Sequence, residues 1–436
     1  MEEWKEYKEE KLGNYILDIA AGPFGSNLKV ECFVPDGFPI IDGANLKEFK
    51  VTDNVTKFVT EEKARSLHRS IAKRNDVVVT ISGNVGQISY IPLDSKYEEY
   101  LVSQRQFRAT FDTTKVYVPY LVYFFHTQLG QHKILSFANQ TGVPALAQPL
   151  KNFKNIDICL PDISSQKRIA SILSSLDDKI EVNRKINENL EQQAQALFKS
   201  WFVDYEPFKD GEFVESELGM IPKGWRVGRY DDIIESTISG DWGKENPEGN
   251  YTHKVACIRG CDFQDIKNGL KGKTPERYIL EKNFQSKHFK DKDVLVEISG
   301  GTATVSTGRV CPVSQLLIDK FNEDIVCTNF CRLVRPKQFY GAYLYYSWLY
   351  KFNHKVMFGY ENGTSGIKNF RIKDFTSIEP IVIPSDSSLL SFQTMIDQLQ
   401  TKLQMNGSES QKLAELRDTL LPKLMSGELK VNEIEK

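Results

Sequence analysis

The most regular hydrophobic pattern of the chain lies between residues 166 and 202, where an apolar or amide residue recurs every three or four positions on a charged stretch. This spacing predicts a long helix from Gln166 to Phe202, with Ser164 or Ser165 as its N-cap. Because the apolar seam is narrow and the polar face is broad, such a helix needs a partner helix. The predicted seam positions are Ile169, Leu173, Leu176, Ile180, Asn183, Leu190 and Leu197.

An internal repeat predicts the partner. Residues 161–201 match residues 384–424 without a gap, which places Asn183 on Asn406. We expect the two helices to pair antiparallel as a coiled coil, with the two asparagines fixing the register at some loss of stability. The alternative is that each helix packs on its own domain. Gly407 is expected to cost about 1 kcal/mol of helix stability and to loosen the second helix locally. The seam of that helix comprises Phe392, Ile396, Leu399, Leu403, Asn406, Leu413 and Leu420.

Upstream of each helix the pattern changes to short β-strands. Residues 76–91 have the pattern of two strands around a Ser-Gly-Asn turn, and residues 293–310 repeat it. Within these stretches TISGNVGQ (80–87) aligns with EISGGTAT (297–304). The chain is therefore expected to be two copies of one module, a β-rich domain followed by a helix.

These patterns predict an α+β fold, with two α/β domains separated by a pair of long antiparallel coiled-coil helices and related by an internal pseudo-twofold repeat. The stretch between the two copies is acidic, carries Pro and Gly, and has no apolar period, so it is predicted to be a loop. The predicted segments are a first domain at residues 1–160, a central helix at 161–203, a linker at 204–224, a second domain at 225–384 and a distal helix at 385–436.

The formal net charge of −2 gives the chain no global electrostatic signature, so nucleic-acid binding would need local basic surface or a partner. Basic and amide side chains, which contact phosphates and base edges, are frequent in loops of both β-rich domains. Taken alone, such loops are ordinary solvated surface, but differing loops on matching scaffolds favour two domains that read different sequences. The candidate DNA-binding residues are Lys29, Arg65, Arg69, Lys73, Arg74, Asn84, Arg105, Gln106, Gln140, Thr141, Arg259, Lys271, Lys273, Arg277, Lys287, Asn329, Asn362, Thr364, Lys368 and Arg371.

The sequence contains no complete active-site motif. GLKGKT (269–274) ends like a phosphate-binding loop, but Lys267 stands where the first glycine is required. None of the histidines forms a zinc-protease motif. We therefore predict that the chain has no catalytic residues.

The seven cysteines fit a reducing compartment. Cys257 with Cys261, and Cys327 with Cys331, have a spacing that suggests zinc, but they lie in strand-like segments. We expect small buried hydrophobic residues and no metal site. The charged N-terminus and the absence of any apolar run of about 18 residues predict a cytoplasmic protein without a membrane segment.

Residues 160–208, LPDISSQKRIASILSSLDDKIEVNRKINENLEQQAQALFKSWFVDYEPF, resemble the central conserved region of the DNA-specificity subunit of type I restriction–modification systems. GPFGSNLK (22–29) resembles the opening of its target-recognition domain, and GMIPKGW (219–225) resembles the entry to the second. LRDTLLPKLMSGEL (416–429) is similar to the distal conserved region. The resemblance covers essentially the whole chain.

The resemblance implies two target-recognition domains, each contacting one half of a bipartite site on double-stranded DNA, with the helix pair setting their spacing. It also implies two modification subunits, which methylate adenine, and restriction subunits, which cleave DNA. S-adenosylmethionine, ATP and Mg would belong to those partners, and no cofactor is expected on this chain. The competing hypotheses are a protein-binding adaptor with repeated domains and a stand-alone enzyme.

Overall fold

The structure is a computed structural model, and it shows the mixture of helices and strands that the sequence predicts. The chain divides into two compact units. The first unit comprises residues 1–178 and 413–436, and the second unit comprises residues 179–412. The structure describes residues 9–139, 144–302, 304–363 and 367–431.

Short runs of β-branched and aromatic residues form the strands of the first domain. These strands are β1 (Glu10–Lys11), β2 (Ile16–Ala21), β3 (Phe33–Val34), β4 (Phe38–Ile41), β5 (Phe58–Val59), β6 (Ile71–Lys73), β7 (Val77–Thr80), β8 (Ile88–Tyr90), β9 (Glu99–Val102), β10 (Gln106–Phe111), β11 (Ala138–Asn139), β12 (Ala145–Leu146) and β13 (Asp157–Ile158). The helices are α1 (Glu61–Ser66), α2 (Val118–His126), α3 (Gln128–Leu135) and α4 (Pro149–Lys154).

Two sheets organise the first domain. One is antiparallel throughout, in the order β2-β10-β7-β8. The other has the order β3-β5-β4-β9-β6, in which β4 and β9 run parallel. The pairing of β7 with β8 confirms the two strands predicted within residues 76–91. Helix α2 is apolar on nearly all sides and is buried against the first sheet.

The remaining elements follow the first long helix, α5 (Ile163–Phe202). The strands are β14 (Phe213–Ser216), β15 (Gly219–Pro222), β16 (Arg226–Arg229), β17 (Ile234–Ser239), β18 (Tyr251–Ile258), β19 (Glu276–Leu280), β20 (Val294–Glu297), β21 (Ser299–Gly300), β22 (Val310–Pro312), β23 (Asp324–Cys327), β24 (Cys331–Pro336), β25 (Glu361–Asn362), β26 (Lys368–Phe370) and β27 (Pro380–Ile383). The helices are α6 (Tyr230–Ile233), α7 (Phe263–Lys267), α8 (Glu281–Lys287), α9 (Gln315–Ile318), α10 (Gly341–Asn353), α11 (Ile372–Ile378) and α12 (Asp386–Ser426).

The second domain has the same core topology as the first. Its antiparallel sheet has the order β17-β24-β20-β22, which corresponds strand by strand to β2-β10-β7-β8. Its other sheet has the order β19-β18-β23, with β18 and β23 parallel, as β4 and β9 are in the first domain. Residues that occupy the same place in these two sheets can therefore be compared directly.

Helix α5 begins at Ile163, three residues before the predicted start. Asp162, rather than Ser164 or Ser165, caps the helix, because its Oδ1 accepts the backbone N–H groups of both serines at 3.0 Å. A carboxylate also suits the positive end of the helix dipole. The distal helix is shorter than the predicted segment, since α12 ends at Ser426.

The predicted seam residues of the two helices pack in two kinds of place. None of the predicted seam positions, all of which the structure describes, is exposed. Ile169 and Leu173 lie in the core of the first domain together with Leu424. Phe392 and Ile396 lie in the core of the second domain. Both expected arrangements therefore occur, since the seam residues near the domains complete the domain cores and those further along α5 and α12 meet the other helix.

The middle of the helix pair, in the second unit, is held by amide side chains. Asn406 donates from Nδ2 to Oδ1 of Asn187 at 2.9 Å, and Asn187 donates to the carbonyl oxygen of Leu403 at 3.1 Å. Asn183 donates to a carboxylate oxygen of Glu409 at 2.8 Å. The residue numbers of the hydrogen-bonded partners fall along α12 as they rise along α5, so the helices run antiparallel here. Asn406 thus pairs side chain to side chain with Asn187, and contacts Asn183 only through its carbonyl oxygen, at 3.4 Å.

Gly407 does not interrupt α12, contrary to the local loosening expected from the sequence. The loop after α7 lies directly against it. A Cβ at position 407 would lie 2.4 Å from the carbonyl oxygen of Asn268 and 2.5 Å from Cα of Gly269. Lys320 holds the same loop by donating to the carbonyl oxygen of Gly269 at 2.5 Å and to Oε1 of Gln404 at 2.7 Å. Glycine is needed here for the close approach of two backbones.

Replacing Gly407 with alanine should therefore destabilise the protein, although alanine is the better helix former by about 1 kcal/mol. The added Cβ would push the loop at 268–269 away from α12. Urea unfolding of the full chain should show a lower midpoint. Gly359 is the matched control, because a Cβ there meets nothing within 4 Å, and its alanine variant should be neutral or stabilising.

Two other sequence expectations need correction. The stretch 204–224 is not simply a loop, since β14 and β15 form a hairpin within it. Cys257, Cys327 and Cys331 are buried as expected, but Cys261 is exposed. Among the described residues, no group of three or more His, Cys, Asp or Glu side chains is placed to hold a metal ion. None of the helices in the described ranges is both long and apolar enough to cross a membrane.

Candidate nucleic-acid interface

A glycine-containing loop crosses a strand-connecting turn at the same place in each domain. A Cβ on Gly22 would lie 1.9 Å from the carbonyl oxygen of Ser103, and a Cβ on Gly240 would lie 1.9 Å from that of Thr328. No side chain fits at either position, so the close crossing requires glycine in both domains. We call these segments the glycine loops (residues 22–29 and 240–246) and the tip turns (residues 103–106 and 328–331).

The two tip turns have the same backbone hydrogen bonds. Ile81 donates its N–H to the carbonyl oxygen of Arg105 at 2.7 Å, and Ile298 donates to that of Phe330 at 2.8 Å. Each turn leads into the second strand of its antiparallel sheet, β10 or β24. Arg105 and Phe330 therefore occupy the same position in the two domains, with very different side-chain chemistry.

Beside its tip turn the first domain has a polar cleft of about 580 Å³. The cleft lies where the parallel strands β4 and β9 end and the β7–β8 turn begins. Amides both donate and accept hydrogen bonds, which matches the edge of adenine in particular. The polar side chains that line the cleft belong to Asp42, Lys57, Thr80, Ser82, Asn84, Gln87, Ser103, Gln104, Arg105 and Gln106.

The one carboxylate lining this cleft is already neutralised. Nζ of Lys57 donates to Asp42 at 2.7 Å, and the backbone N–H of Ala44 donates to it at 2.9 Å. Burial opposes ionisation of Asp42, but these hydrogen bonds outweigh it and lower its pKa. The remaining polar lining groups are hydroxyls, amides and Arg105, and the rest of the lining is apolar or glycine, so the described wall of the cleft does not repel a polyanion.

The second domain has a different pair of side chains at the corresponding place. The backbone N–H of Thr80 donates to the carbonyl oxygen of Gln87 at 2.8 Å, and that of Glu297 donates to Arg309 at 2.8 Å. Gln87 therefore corresponds to Arg309, and not to Thr304 as the ungapped sequence alignment places it. The turn between the strands is longer in the second domain, and a sequence match without gaps cannot show this.

Arg309 and Glu297 form a two-pronged ion pair. Nε of Arg309 donates to Oε2 of Glu297 at 2.7 Å, and Nη2 donates to Oε1 at 2.6 Å. The carboxylate is buried, and a Cβ on Gly260 would lie only 2.3 Å from it. These hydrogen bonds raise the pKa of Arg309. The pair orients the guanidinium of Arg309, whose side chain stays 39% exposed, whereas the first domain has the neutral amide of Gln87 in its place.

The structure separates the sequence candidates into two groups. In the first group the charge is already paired within the chain. Arg259, for example, forms a two-pronged ion pair with Asp262, whose side chain is 3% exposed. These side chains have carboxylate partners within the chain, and their contact with DNA stays a prediction. This group comprises Arg65, Lys73, Arg74, Arg259, Lys287, Lys368 and Arg371.

The second group has exposed side chains that form no hydrogen bond or ion pair within the described ranges. These residues are Lys29, Arg69, Asn84, Arg105, Lys273, Asn329 and Asn362. Three further candidates are neither ion-paired nor fully free: Lys271 lies over Phe321, Arg277 stacks on Trp242, and Gln106 is buried. Gln140, Thr141 and Thr364 lie outside the described residues.

Several residues of this surface were missed by the sequence reasoning. Phe24 and Phe330 are 82% and 60% exposed, and Arg309 and Gln87 line equivalent positions. Aromatic residues were not among the types predicted to contact DNA, which explains the omission of Phe24 and Phe330 but not that of Gln87 and Arg309. A comparison of the two copies through their turns, SQRQ against TNFC, could have found Phe330 opposite Arg105.

Arg105 and Arg259 should behave differently when each is replaced with alanine. Removing Arg105 should weaken DNA binding and lower the slope of log K against log salt by about one, without changing stability. Removing Arg259 leaves the buried Asp262 short of a partner, so it should lower the free energy of unfolding by about 1–3 kcal/mol. Salt-dependent binding titrations and urea unfolding distinguish the two. Equal effects of the two alanine replacements on DNA binding would contradict the distinction between arginines that are paired with a carboxylate and arginines that are not.

Known proteins are similar to this chain in fold or in sequence. The structure matches a crystal structure of the S subunit of a type I restriction–modification system from M. genitalium with a TM-score of 0.52, at 15% identity and 96% coverage of both chains, which shows the fold. A family model described as the type I restriction modification DNA specificity domain matches residues 33–192.

Sequence relatives extend over almost the whole chain. The MjaIX specificity subunit of Methanocaldococcus jannaschii is 28% identical over 448 residues, covering 98% of each chain. The HindI specificity subunit of Haemophilus influenzae is 24% identical over 404 residues, covering 79% of this chain and 84% of that one. The resemblance found in the sequence is confirmed: the chain is related to the specificity subunits of type I restriction–modification systems.

Proposed function

We propose that the chain is the DNA-sequence-specificity subunit of a type I restriction–modification complex. Each domain reads one half of a bipartite site on double-stranded DNA, and the pair of α5 and α12 sets the gap between the halves. The chain recruits two methyltransferase subunits and the restriction subunits. S-adenosylmethionine, ATP and Mg are bound by those partners, and the chain itself is not catalytic.

The observation that carries this proposal is one scaffold used twice with different polar groups. The antiparallel sheets of the two domains have the same strand order, and the tip turns have the same backbone hydrogen bonds. At matching positions the chemistry changes from Gln87 to Arg309 and from Arg105 to Phe330. A glutamine amide suits adenine, and a guanidinium suits guanine. Different side chains at matching positions of one scaffold would allow the two domains to bind different base sequences.

The charge of the chain supports a role within a larger complex. A net charge of −2 cannot by itself provide the many phosphate contacts that dominate DNA affinity. The unpaired basic residues, Lys29, Arg69, Arg105 and Lys273, supply a few contacts. Methyltransferase partners would supply the rest, so specific binding should be much tighter for the complex than for the isolated chain.

The helix pair offers apolar surface for such partners. Val182 and Ile186 are 49% and 38% exposed and lie four residues apart, on one face of α5. Met405 on α12 is 58% exposed. Exposed aliphatic residues on an otherwise charged helix are suited to an interface with another protein.

A nuclease footprint of the chain bound to its methyltransferase subunits tests the proposal. Protection of two short sequences separated by a fixed gap is expected, and affinity should fall steeply with salt. The competing adaptor would bind a protein through its repeated domains and give no footprint. Protection of one continuous sequence would contradict the assignment of one domain to each half-site.

A further inference from the structure

Each domain has one highly exposed phenylalanine on its glycine loop or its tip turn. Phe24, on the first glycine loop, is 82% exposed, and Phe330, on the second tip turn, is 60% exposed. A single exposed apolar side chain is ordinary in a soluble protein, but here one stands on a tightly constrained backbone in the same region of both domains. Both backbones are constrained, because the crossing at Gly22 or Gly240 leaves no space for a side chain. The two rings are therefore held outward on well-packed supports.

In each domain an exposed phenylalanine and an arginine lie on or beside the glycine loop and the tip turn. In the first domain the glycine loop carries Phe24 and the tip turn carries Arg105. In the second domain the tip turn carries Phe330, and the glycine loop carries Trp242, on which the guanidinium of Arg277 stacks at 4.3 Å. Each domain thus has one exposed phenylalanine and one arginine in this region, but the second arginine comes from β19 and reaches the glycine loop by stacking on Trp242.

The phenylalanine in each domain lies beside the surface assigned to DNA. A Cβ on Gly25, next to Phe24, would lie 2.5 Å from Oε1 of Gln104, which lines the polar cleft. Phe330 lies between Asn329, which is exposed and unpaired in the described ranges, and Cys331, which begins β24. The rings therefore lie next to the two candidate reading surfaces.

We propose that Phe24 and Phe330 are wedges that stack against or between bases of the two half-sites, one in each. This inference rests on the proposed function. Apolar side chains inserted at a base step partly unstack it and bend the duplex, and the neighbouring arginine contacts the phosphates that the bend brings closer. The affinity of each domain then depends on how easily one base step is deformed, in addition to the hydrogen bonds that the domain forms with base edges.

The experiment uses the complex with methyltransferase subunits and duplexes that carry 2-aminopurine at single steps of each half-site other than the methylated adenine, since methyltransferases flip that base themselves. Binding of the wild-type complex should raise the fluorescence at one step in each half, because unstacking relieves quenching. Phe24→Ala should abolish the rise in one half-site only, and Phe330→Ala the rise in the other. Each should weaken binding roughly 10- to 100-fold, the usual value of one base–aromatic contact.

The matched controls are Leu93→Ala in the first domain and Ile378→Ala in the second. These residues are 73% and 59% exposed and lie outside the glycine loops and tip turns. They should leave fluorescence and affinity unchanged. All four side chains are exposed, so none of these changes should unfold the protein.

Three results would overturn the proposal in different ways. Unchanged fluorescence in both phenylalanine variants, on DNA that the complex still binds specifically, would show that the rings are not wedges. Loss of assembly with the methyltransferase subunits in the absence of DNA would show that the rings contact protein. If the wild-type complex protects no bipartite site, the proposed function itself fails, independently of the variants.

Discussion

Exchanging the first domain for that of a relative with another target should replace the base sequence of one half-site and leave the other half-site unchanged. The change is large, because each mismatched base pair costs about 1–3 kcal/mol and a half-site contains several. The original target should therefore lose specific binding. Selection of bound sequences from random DNA, with the chimera in complex with methyltransferase subunits, measures both halves at once.

The structure shows where the chimera has to be joined. The core of the first domain includes Leu421, Leu424 and Met425 of α12, which come from the other end of the chain. A chimera that exchanges only residues 1–155 keeps these contacts from the original chain, so a second chimera should also exchange residues 413–436. Both should give the same new half-site. A change in both half-sites would mean that the domains do not read independently.

Lengthening both long helices should widen the gap between the half-sites without changing their sequences. Four residues inserted between Asp178 and Lys179, and four between Lys412 and Leu413, add about 6 Å to the helix pair. This length corresponds to about two base pairs at about 3.4 Å each. The insertion points leave the pairs Arg417–Asp177 and Lys179–Glu409 within their own units. The selected sites should show the same bases with a longer gap.

The rotation of the inserted segment affects affinity. Four residues turn an α-helix about 40° beyond one full turn, whereas two base pairs of DNA turn about 70°. Some affinity should be lost while the bases remain the same. Seven inserted residues in each helix preserve the seam and should widen the gap further. As a control, four residues inserted at the exposed Leu218 in the β14–β15 hairpin should leave the gap unchanged. An unchanged gap in the helix variants would refute the proposal that the pair of α5 and α12 sets the gap between the half-sites.

The long helices were the part of the fold that the sequence predicted best. Their apolar period is strong, and α5 starts only three residues before the predicted position. The cap was misassigned because Asp162, Ser164 and Ser165 all have side chains that can cap a helix, and only the backbone geometry selects one. The hairpin at 213–222 was missed because its strands are short and polar, so it has no hydrophobic period to detect.

The reading surface was less accessible to sequence reasoning, for two physical reasons. Residue type does not show whether a charge is paired, and Arg259 and Lys368 proved to be paired with carboxylates in the fold. Position in an ungapped alignment does not show register, so Arg309 was not recognised as the counterpart of Gln87. Gly407 illustrates a third case, in which a residue that weakens a helix in isolation is required by a backbone that packs against it.

The methylated motif in DNA modified by the complex tests the central claim most directly. Methylation-sensitive sequencing should show methylated adenines within a motif of two short defined sequences separated by a gap of fixed length and undefined sequence. A single continuous motif, or a motif unchanged by exchange of the first domain, would contradict the account.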